Sequence, residues 1–304
     1  SKIQTVRKSI RLKLIRHAES GNNEVYSKAH SLFHWGDSER FDEDGWLKYV
    51  NDHRSADPGL SSLGTKQAEA LGEFLSEELD REASAPTYFV VSPMRRAVDT
   101  ILPTIRALNE RKHVKEEERC HVCVHALYHE VEGCHLKNKP APGMNQTDLT
   151  SMIQSESFQD SRHISFVGFS GVHEEGWYSH GLGAETRTEA EERASKFYLW
   201  LCEYLDAQLK DESDDVFDAG VRKFHDKRRR TVVMLGHGEF MGYILKRIIA
   251  AFGYSVEHEG VPHRSSMVHF NTGVTKLEYF GAGRFLIMYS NQTSHIHLPH
   301  MKTG

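Results

Sequence analysis

The sequence predicts an α/β sandwich built around a mostly parallel central sheet. Short apolar runs typical of buried strands alternate along the 304 residues with segments whose apolar positions recur at helical spacing. Two long polar segments, at 21–59 and 132–184, interrupt this alternation. Loops of this length often wall a ligand site at the sheet edge. We therefore expect one domain over 1–304, with long insertions at 21–59 and 132–184 near its functional edge.

The first half of the chain contains two strong helices between three strands. An apolar strand leads directly into Arg16 and His17. Leucines then recur on one helical face, and Ser61 or Ser62 can cap the start of that helix. The predicted elements are a strand at 12–15, a helix at 60–79, a strand at 88–91, a helix at 95–108 and a strand at 121–127.

The second half repeats the alternation and ends in two further strands, of which one or both can be antiparallel edge strands. An acidic run at 211–215 and a basic run at 227–230 are typical of a solvated loop. After them, the sharp turn Gly236-His237-Gly238 joins a strand to a helix. The predicted elements are a helix at 190–209, a strand at 231–235, a helix at 239–252 and strands at 274–279 and 284–289.

The composition excludes several classes of function. The formal net charge is -5, so overall charge gives no reason to expect nucleic acid or an anionic membrane as partner. No run approaches the ~18 apolar residues that a membrane span needs. The chain has 4 cysteines, too few for a disulfide scaffold, so we expect a reducing compartment, the cytoplasm.

Some of the cysteines have a spacing that zinc sites also use. Cys120 and Cys123 form a C-x-x-C, and Cys134-His135 follows downstream. Along a strand, however, residues three apart point to opposite faces. No second C-x-x-C or paired histidine follows at the usual separation, so we expect structural thiols, no metal and no cofactor.

Three separated segments share one pattern, an apolar strand followed by a sharp polar turn. They are LKLI-RHAES, YFVV-SPMRRA and VVML-GHGEF, which carry Arg16, His17, Arg96 and His237. Because the carboxyl ends of parallel strands meet at one sheet edge, these side chains are expected to converge. Two guanidiniums, two imidazoles and the backbone N–H groups around Gly238 would bind an anion, best matched by phosphate. A neutral histidine there can act as a covalent nucleophile.

These motifs and their order resemble the histidine phosphatase superfamily, also called the phosphoglycerate mutase-like family. The family opens with Arg-His-Gly-Glu and an Asn six residues past the His; here Ala18 replaces the Gly and Asn23 supplies the Asn. Residues 60–68 match its Leu-Ser/Thr-x-x-Gly-x-x-Gln-Ala motif, and residues 92–100 match its Ser-x-x-x-Arg-Ala-x-x-Thr motif. The resemblance runs from about 12 to about 290 and implies a three-layer α/β/α sandwich without a metal.

The resemblance also implies a role for each matching residue. His17 attacks phosphorus and becomes transiently phosphorylated, while Arg16, Arg96 and His237 neutralise the phosphoryl oxygens. Asn23 positions the substrate or its phosphate. The expected phosphate- and substrate-binding residues are therefore Arg16, Asn23, Arg96, His237 and Gly238.

A carboxylic acid is still needed to protonate the leaving oxygen and then activate water. The family usually places this Glu shortly after a strand, two residues past a Leu and just before a Gly. Here Glu130 lies three residues past Leu127 and Glu132 lies five past it, so neither spacing matches. Glu130 is favoured because it lies nearer the strand end, and Glu132 is the alternative.

The residues that follow these glutamates distinguish a hydrolase from an enzyme that exchanges phosphoryl groups. Cofactor-dependent mutases carry Arg-His-Tyr-Gly and then a Lys there, whereas this chain has Val-Glu-Gly-Cys-His-Leu at 131–136. The sequence therefore predicts a histidine acid-type phosphatase, a phosphomonoester hydrolase that acts on a small phosphate ester or a phosphorylated protein. A mutase and a non-catalytic binder of phosphorylated partners are the alternatives. In the second insertion, Trp177, Tyr178 and Glu185 either face the ligand or pack the insertion.

Overall fold

The structure is a computed structural model that describes most of the chain. The described residues are 9–82, 87–109, 120–137, 139–153, 164–178, 183–210, 230–251, 257–258, 261–262 and 267–303. The two charged runs predicted to form a solvated loop lie outside these residues, apart from Arg230. Within the described residues, none of the helices has both the length and the apolar character that a membrane crossing requires.

A seven-stranded sheet forms the centre of the molecule. The strands are β1 (Ile10–Arg16), β2 (Thr87–Val91), β3 (Cys120–His125), β4 (His135–Leu136), β5 (Lys139–Pro140), β6 (Ile164–Ser170), β7 (Thr231–Gly236), β8 (Glu257–His258), β9 (Val261–Pro262), β10 (Val274–Tyr279) and β11 (Phe285–Gln292). The order in the central sheet is β11-β10-β1-β7-β2-β3-β6, while β4 pairs with β5 and β8 with β9. Strands β1, β7, β2, β3 and β6 are mutually parallel, and β10 and β11 are antiparallel, which confirms the predicted mostly parallel sheet.

Helices cover both faces of the sheet. The helices are α1 (Gly21–Leu32), α2 (Glu43–His53), α3 (Ser62–Glu82), α4 (Arg95–Asn109), α5 (Gln146–Ile153), α6 (Arg187–Lys210) and α7 (Gly238–Ala250). Apolar residues of α3, α4 and α5 form one core with the sheet, and those of α6 and α7 form a second core on the other face. The three-layer α/β/α sandwich is thereby confirmed.

The central strands are apolar on both faces because helices cover both of them. In β1, Ile15 packs in the first core, whereas Leu12 and Leu14 pack in the second. Lys13 interrupts this run and is fully buried, with its ammonium 2.7 Å from the Glu78 carboxylate of α3. The strand that leads to the Arg-His turn is therefore held from both sides.

The two long polar segments contain more regular structure than the sequence indicated. The segment at 21–59 forms α1 and α2, which each bury a single residue, Ala29 and Val50, so their apolar period is weak. Their ends are set by side-chain caps, with Ser20 before α1 and Asp42 before α2. The segment at 132–184 contributes α5 and also β6, which joins the central sheet beside β3.

The strand β6 was missed because it is irregular. A register shift interrupts its pairing with β3 opposite Val122 and Cys123, and Gly168 has a φ of 121°. Only glycine adopts such a backbone readily. The predicted strand at 121–127 also ends earlier, since β3 stops at His125 and a 3-10 turn follows at Ala126–Tyr128.

Candidate active site

The side chains of Arg16, His17, Arg96 and His237 meet at the carboxyl edge of the parallel strands. Arg16 ends β1, Arg96 lies in the first turn of α4, and His237 caps α7 directly after β7. The Arg96 Nε donates to the His17 Nε2 at 3.2 Å, and the two imidazole centroids are 5.1 Å apart. All four groups are shielded from water to a large extent, which strengthens the electrostatic interaction with a bound anion.

The imidazole of His17 is held in one neutral form. Its Nδ1 lies 2.6 Å from the Ala18 carbonyl oxygen, so Nδ1 carries the hydrogen and donates it. Burial, together with Arg96 and Arg16, keeps the pKa of His17 well below its usual value. The Nε2 atom therefore carries a lone pair and faces the Arg96 guanidinium, as a nucleophile requires.

The imidazole of His237 has the opposite orientation. Its Nε2 lies 2.7 Å from the Ser92 hydroxyl, whose oxygen also accepts the Met94 N–H at 3.3 Å. If the hydroxyl hydrogen points to Nε2, Nδ1 carries the ring hydrogen. Among the described residues, Nδ1 has no hydrogen-bond partner. It can donate this hydrogen to a ligand oxygen.

Two of the sequence motifs interlock at Glu19, just past the Arg-His turn. The Glu19 carboxylate accepts the Ser61 hydroxyl at 2.7 Å, and the Glu19 N–H donates to the Gln67 amide oxygen at 2.7 Å. The Ser61 hydroxyl also accepts the Gly64 N–H at 2.9 Å, which makes Ser61 the cap of α3. At Gly64, a Cβ would lie 1.9 Å from the Glu19 carbonyl oxygen, so only glycine fits. The start of α3 thus holds the strand end that carries His17.

The third motif also anchors this turn. The Thr100 hydroxyl accepts the Ala18 N–H at 2.9 Å and donates to the Arg96 carbonyl at 2.6 Å. The hydroxyl of Ser92 fixes His237, as described above. The fixed polar positions of the motif thereby connect α4 to both imidazole-bearing turns.

A segment before β10, which the sequence motifs do not include, supports the Arg-His turn from the C-terminal side. Arg16 donates through Nη1 to the His269 carbonyl at 2.5 Å, and the Asn271 side-chain amide donates to the His17 carbonyl at 2.8 Å. The Thr272 N–H donates to the Arg16 carbonyl at 3.1 Å, from a backbone with φ of 59°. The Asn-Thr-Gly run at 271–273 is the available signal, because such residues form tight turns.

Both candidate acids line the same pocket, in different surroundings. Glu130 accepts the Phe240 N–H at 3.0 Å and the Val131 N–H at 3.0 Å, so its carboxylate caps α7. The side chain of Glu132 is 62% exposed, and its carboxylate lies 4.0 Å from the His135 Nε2. The geometry favours Glu130: burial lowers the pKa of both Arg16 and Arg96, and the nearby Glu130 carboxylate partly opposes this shift at each guanidinium.

The start of α7 therefore differs from the sequence-based expectation. We expected its N–H groups, near Gly238, to face the anion, but the Glu130 carboxylate takes the Phe240 N–H. Gly238 also leaves room for Arg16, since a Cβ there would lie 3.3 Å from the Cδ and Nε atoms of Arg16. The expectation that backbone N–H groups around Gly238 bind the anion stays a prediction.

The loop that carries Glu130 is fixed by a buried ion pair. Arg193 of α6 pairs with Glu185 through two contacts of 2.6 and 2.7 Å. The same guanidinium donates to the carbonyls of Leu127 at 2.7 Å and His129 at 2.9 Å. Glu185 therefore packs the insertion and does not face the ligand.

The two aromatic residues at 177–178 also pack the insertion, since both are buried in the core. The Tyr178 ring covers Gly133, and its hydroxyl donates to the Gly183 carbonyl at 2.8 Å. Asn23 lines the pocket, although its side-chain oxygen accepts the Ser20 N–H at 3.0 Å in the capping box of α1. Within the described part of the chain, no three His, Cys, Asp or Glu side chains are grouped to hold a metal ion.

Comparisons with known proteins agree with the motif analysis. Residues 46–158 match the family model of the histidine phosphatase superfamily (branch 1), a segment that includes Arg96 and both candidate acids. No curated protein matches the chain.

Among solved structures, the ecdysone phosphate phosphatase EPPase from Bombix mori, in complex with tungstate, matches with a TM-score of 0.51. It covers 93% of each chain at 12% identity, and this likeness shows the fold. The protein histidine phosphatase SixA, also complexed with tungstate, matches 93% of this chain and 97% of its own at 7% identity, with a TM-score of 0.37.

Proposed function

We propose that this chain, a member of the histidine phosphatase superfamily, hydrolyses phosphomonoesters through a covalent phosphohistidine at His17. The observation that carries the proposal is the orientation of His17. Its Nε2 lone pair faces the Arg96 guanidinium at 3.2 Å, and its Nδ1–H is held by the Ala18 carbonyl. An attack on phosphorus requires a neutral imidazole, a fixed tautomer and adjacent cations.

In the first step, the bond between His17 Nε2 and phosphorus forms while the bond from phosphorus to the leaving oxygen breaks. Arg16, Arg96 and the His237 Nδ1–H neutralise the phosphoryl oxygens, where negative charge is concentrated. The leaving oxygen takes a proton from Glu130, which enters this step as the carboxylic acid. An alcohol is released.

In the second step, water attacks the phosphohistidine. The Glu130 carboxylate accepts a proton from that water, a new P–O bond forms, and the P–Nε2 bond breaks. Inorganic phosphate leaves, and both His17 and Glu130 return to their starting protonation states. The substrate in this proposal is a small phosphate ester or a phosphorylated protein in the cytoplasm.

Hydrolysis of 4-nitrophenyl phosphate tests this function. We expect His17→Ala to lower kcat by on the order of 10⁴-fold or more, as removal of a covalent nucleophile does. His300→Ala, which removes an exposed histidine, is the matched control and should retain wild-type activity. The ratio of inorganic phosphate to nitrophenol released should be one-to-one in the presence of added alcohols. Retained activity in His17→Ala would overturn the histidine mechanism, and a phosphate deficit would indicate transfer to the alcohol.

A further inference from the structure

A third arginine lines the pocket and has no part in the mechanism above. Arg54 follows α2, and its N–H donates to the Val50 carbonyl at 2.9 Å. The side chain is partly exposed, and its Nε is buried without a hydrogen-bond partner among the described residues. It extends from a segment that none of the three catalytic motifs contains.

The position of Arg54 is fixed relative to the nucleophile. The Asn22 side-chain amide donates to the Ser55 carbonyl at 2.8 Å, and the Ser55 N–H donates to the Asn22 side-chain oxygen at 3.0 Å. Asn22 lies in the first turn of α1, which begins four residues after His17. This pair of hydrogen bonds therefore ties the turn that carries Arg54 to the Arg-His turn.

The charge of Arg54 reaches two groups that line the pocket. Burial and then Arg54 lower the pKa of His135, and Arg54 adds to the effect of burial that lowers the pKa of Arg96. The guanidiniums that lower the pKa of His17 are those of Arg96 and Arg16. Arg54 lines the same pocket as Arg16, His17 and Arg96, together with Glu132 and His135.

The charge balance of the pocket leaves Arg54 without an anion when a simple phosphate ester binds. The dianionic phosphoryl group is matched by Arg16 and Arg96, and Glu130 enters the reaction as the neutral carboxylic acid, so the bound ester leaves no charge for Arg54. A guanidinium that loses water to a bound substrate without gaining an acceptor is costly. Glu132 lines the same pocket, but its carboxylate lies 4.0 Å from the His135 Nε2.

We propose that Arg54 forms a second anion subsite, so that the preferred substrate is a phosphomonoester whose leaving group carries a further negative charge. A carboxylate or a second phosphate has the required chemistry, because guanidinium donors bind both through paired hydrogen bonds. This inference rests on the proposed function, since it names the substrate class of that site.

The test compares the binding of three non-hydrolysable probes by titration calorimetry. Benzylphosphonate carries only the phosphoryl-like group, whereas 3- and 4-carboxybenzylphosphonate add a carboxylate. We expect the wild-type protein to bind at least one carboxylated probe about tenfold more tightly, as one charge-assisted contact provides. In Arg54→Gln the ratio of the dissociation constants should fall to about one, and Arg54→Lys should retain part of the preference.

Arg40→Gln is the matched control, because Arg40 is an exposed arginine between α1 and α2 that does not line the pocket. It should keep the wild-type ratio. A wild-type ratio near one for both isomers, or an unchanged ratio in Arg54→Gln, would overturn the proposal. The probes bind without turnover, so a protein that fails to hydrolyse esters would refute the proposed function and still report on Arg54.

Discussion

The ion pair between Arg193 and Glu185 offers a test of how the site is held together. In Arg193→Met, the Glu185 carboxylate stays buried without its partner, and the carbonyls of Leu127 and His129 lose their donors. The methionine side chain still fills much of the space beside Phe240, over whose ring the guanidinium lies at 4.0 Å. The substitution therefore removes charge and hydrogen bonds with little change in packed volume.

The magnitude follows from the burial of both partners, whose side chains are 7% and 6% exposed. Removing one member of a buried ion pair costs about 3–5 kcal/mol, because the other charge is left uncompensated. At roughly 2–4 °C per kcal/mol for a chain of this size, the Tm should fall by about 10 °C. Glu185→Gln keeps the shape and a hydrogen-bond acceptor, so we expect a smaller loss, about 1–2 kcal/mol.

Urea denaturation measures the loss in free energy of unfolding. Turnover of two substrates measures whether Glu130 is still positioned to donate its proton. An alkyl phosphate needs a proton on its leaving oxygen, whereas 4-nitrophenyl phosphate hardly does. Arg193→Met should therefore lower kcat more for the alkyl ester, because the loop that carries Glu130 is released. A stability loss below about 1 kcal/mol would refute the reasoning about burial. Equal losses for both substrates would refute the positioning role.

Three further predictions concern the acid, a buried carboxylate and metals. Glu130→Gln should slow alkyl esters by ~10²–10⁴-fold relative to 4-nitrophenyl phosphate, whereas Glu132→Gln should leave that ratio nearly unchanged; the reverse pattern in the same assay would move the role to Glu132. Burial raises the pKa of Asp57 to about 6, so its folded form binds a proton that the unfolded form lacks, and stability falls as pH rises from about 4 to about 6. Asp57→Asn keeps the acceptor for the Arg95 N–H. In urea denaturation, its free energy of unfolding should rise by on the order of 1–2 kcal/mol at pH 7.5 but little at pH 4. Equal rises at the two pH values would contradict this. EDTA should leave turnover intact, and vanadate should inhibit competitively. Activity that is lost in EDTA but restored by zinc or magnesium would show that a metal takes part.

The sequence predicted the parts of the site that are covalently attached to strong strands. Arg16 ends β1, whose apolar run is unambiguous, and His17 follows it directly. His237 follows the equally clear β7, and Arg96 lies in the first turn of the strongly amphipathic α4. In a parallel sheet, strand order alone brings such turns together. The convergence could therefore be predicted from local patterns.

Other parts of the site depend on contacts that local patterns do not encode. Arg193 reaches the Leu127 carbonyl across 66 residues of sequence, and the Asn271 amide reaches the His17 carbonyl across 254 residues. The helices α1 and α2 bury too few residues to show an apolar period. Glu130 could be favoured over Glu132 from its distance to the strand end, but its role as the cap of α7 needed the fold.

Capture of the phosphoenzyme tests the central claim most directly. Wild-type protein is mixed with excess phosphate-labelled substrate, quenched in alkali within milliseconds, digested and mapped by mass spectrometry. The account predicts label on His17, stable to base and labile to acid as a P–N bond is, and its formation at least as fast as kcat. Label on another residue, or turnover without any phosphohistidine under conditions that retain a phosphohistidine standard, would contradict it.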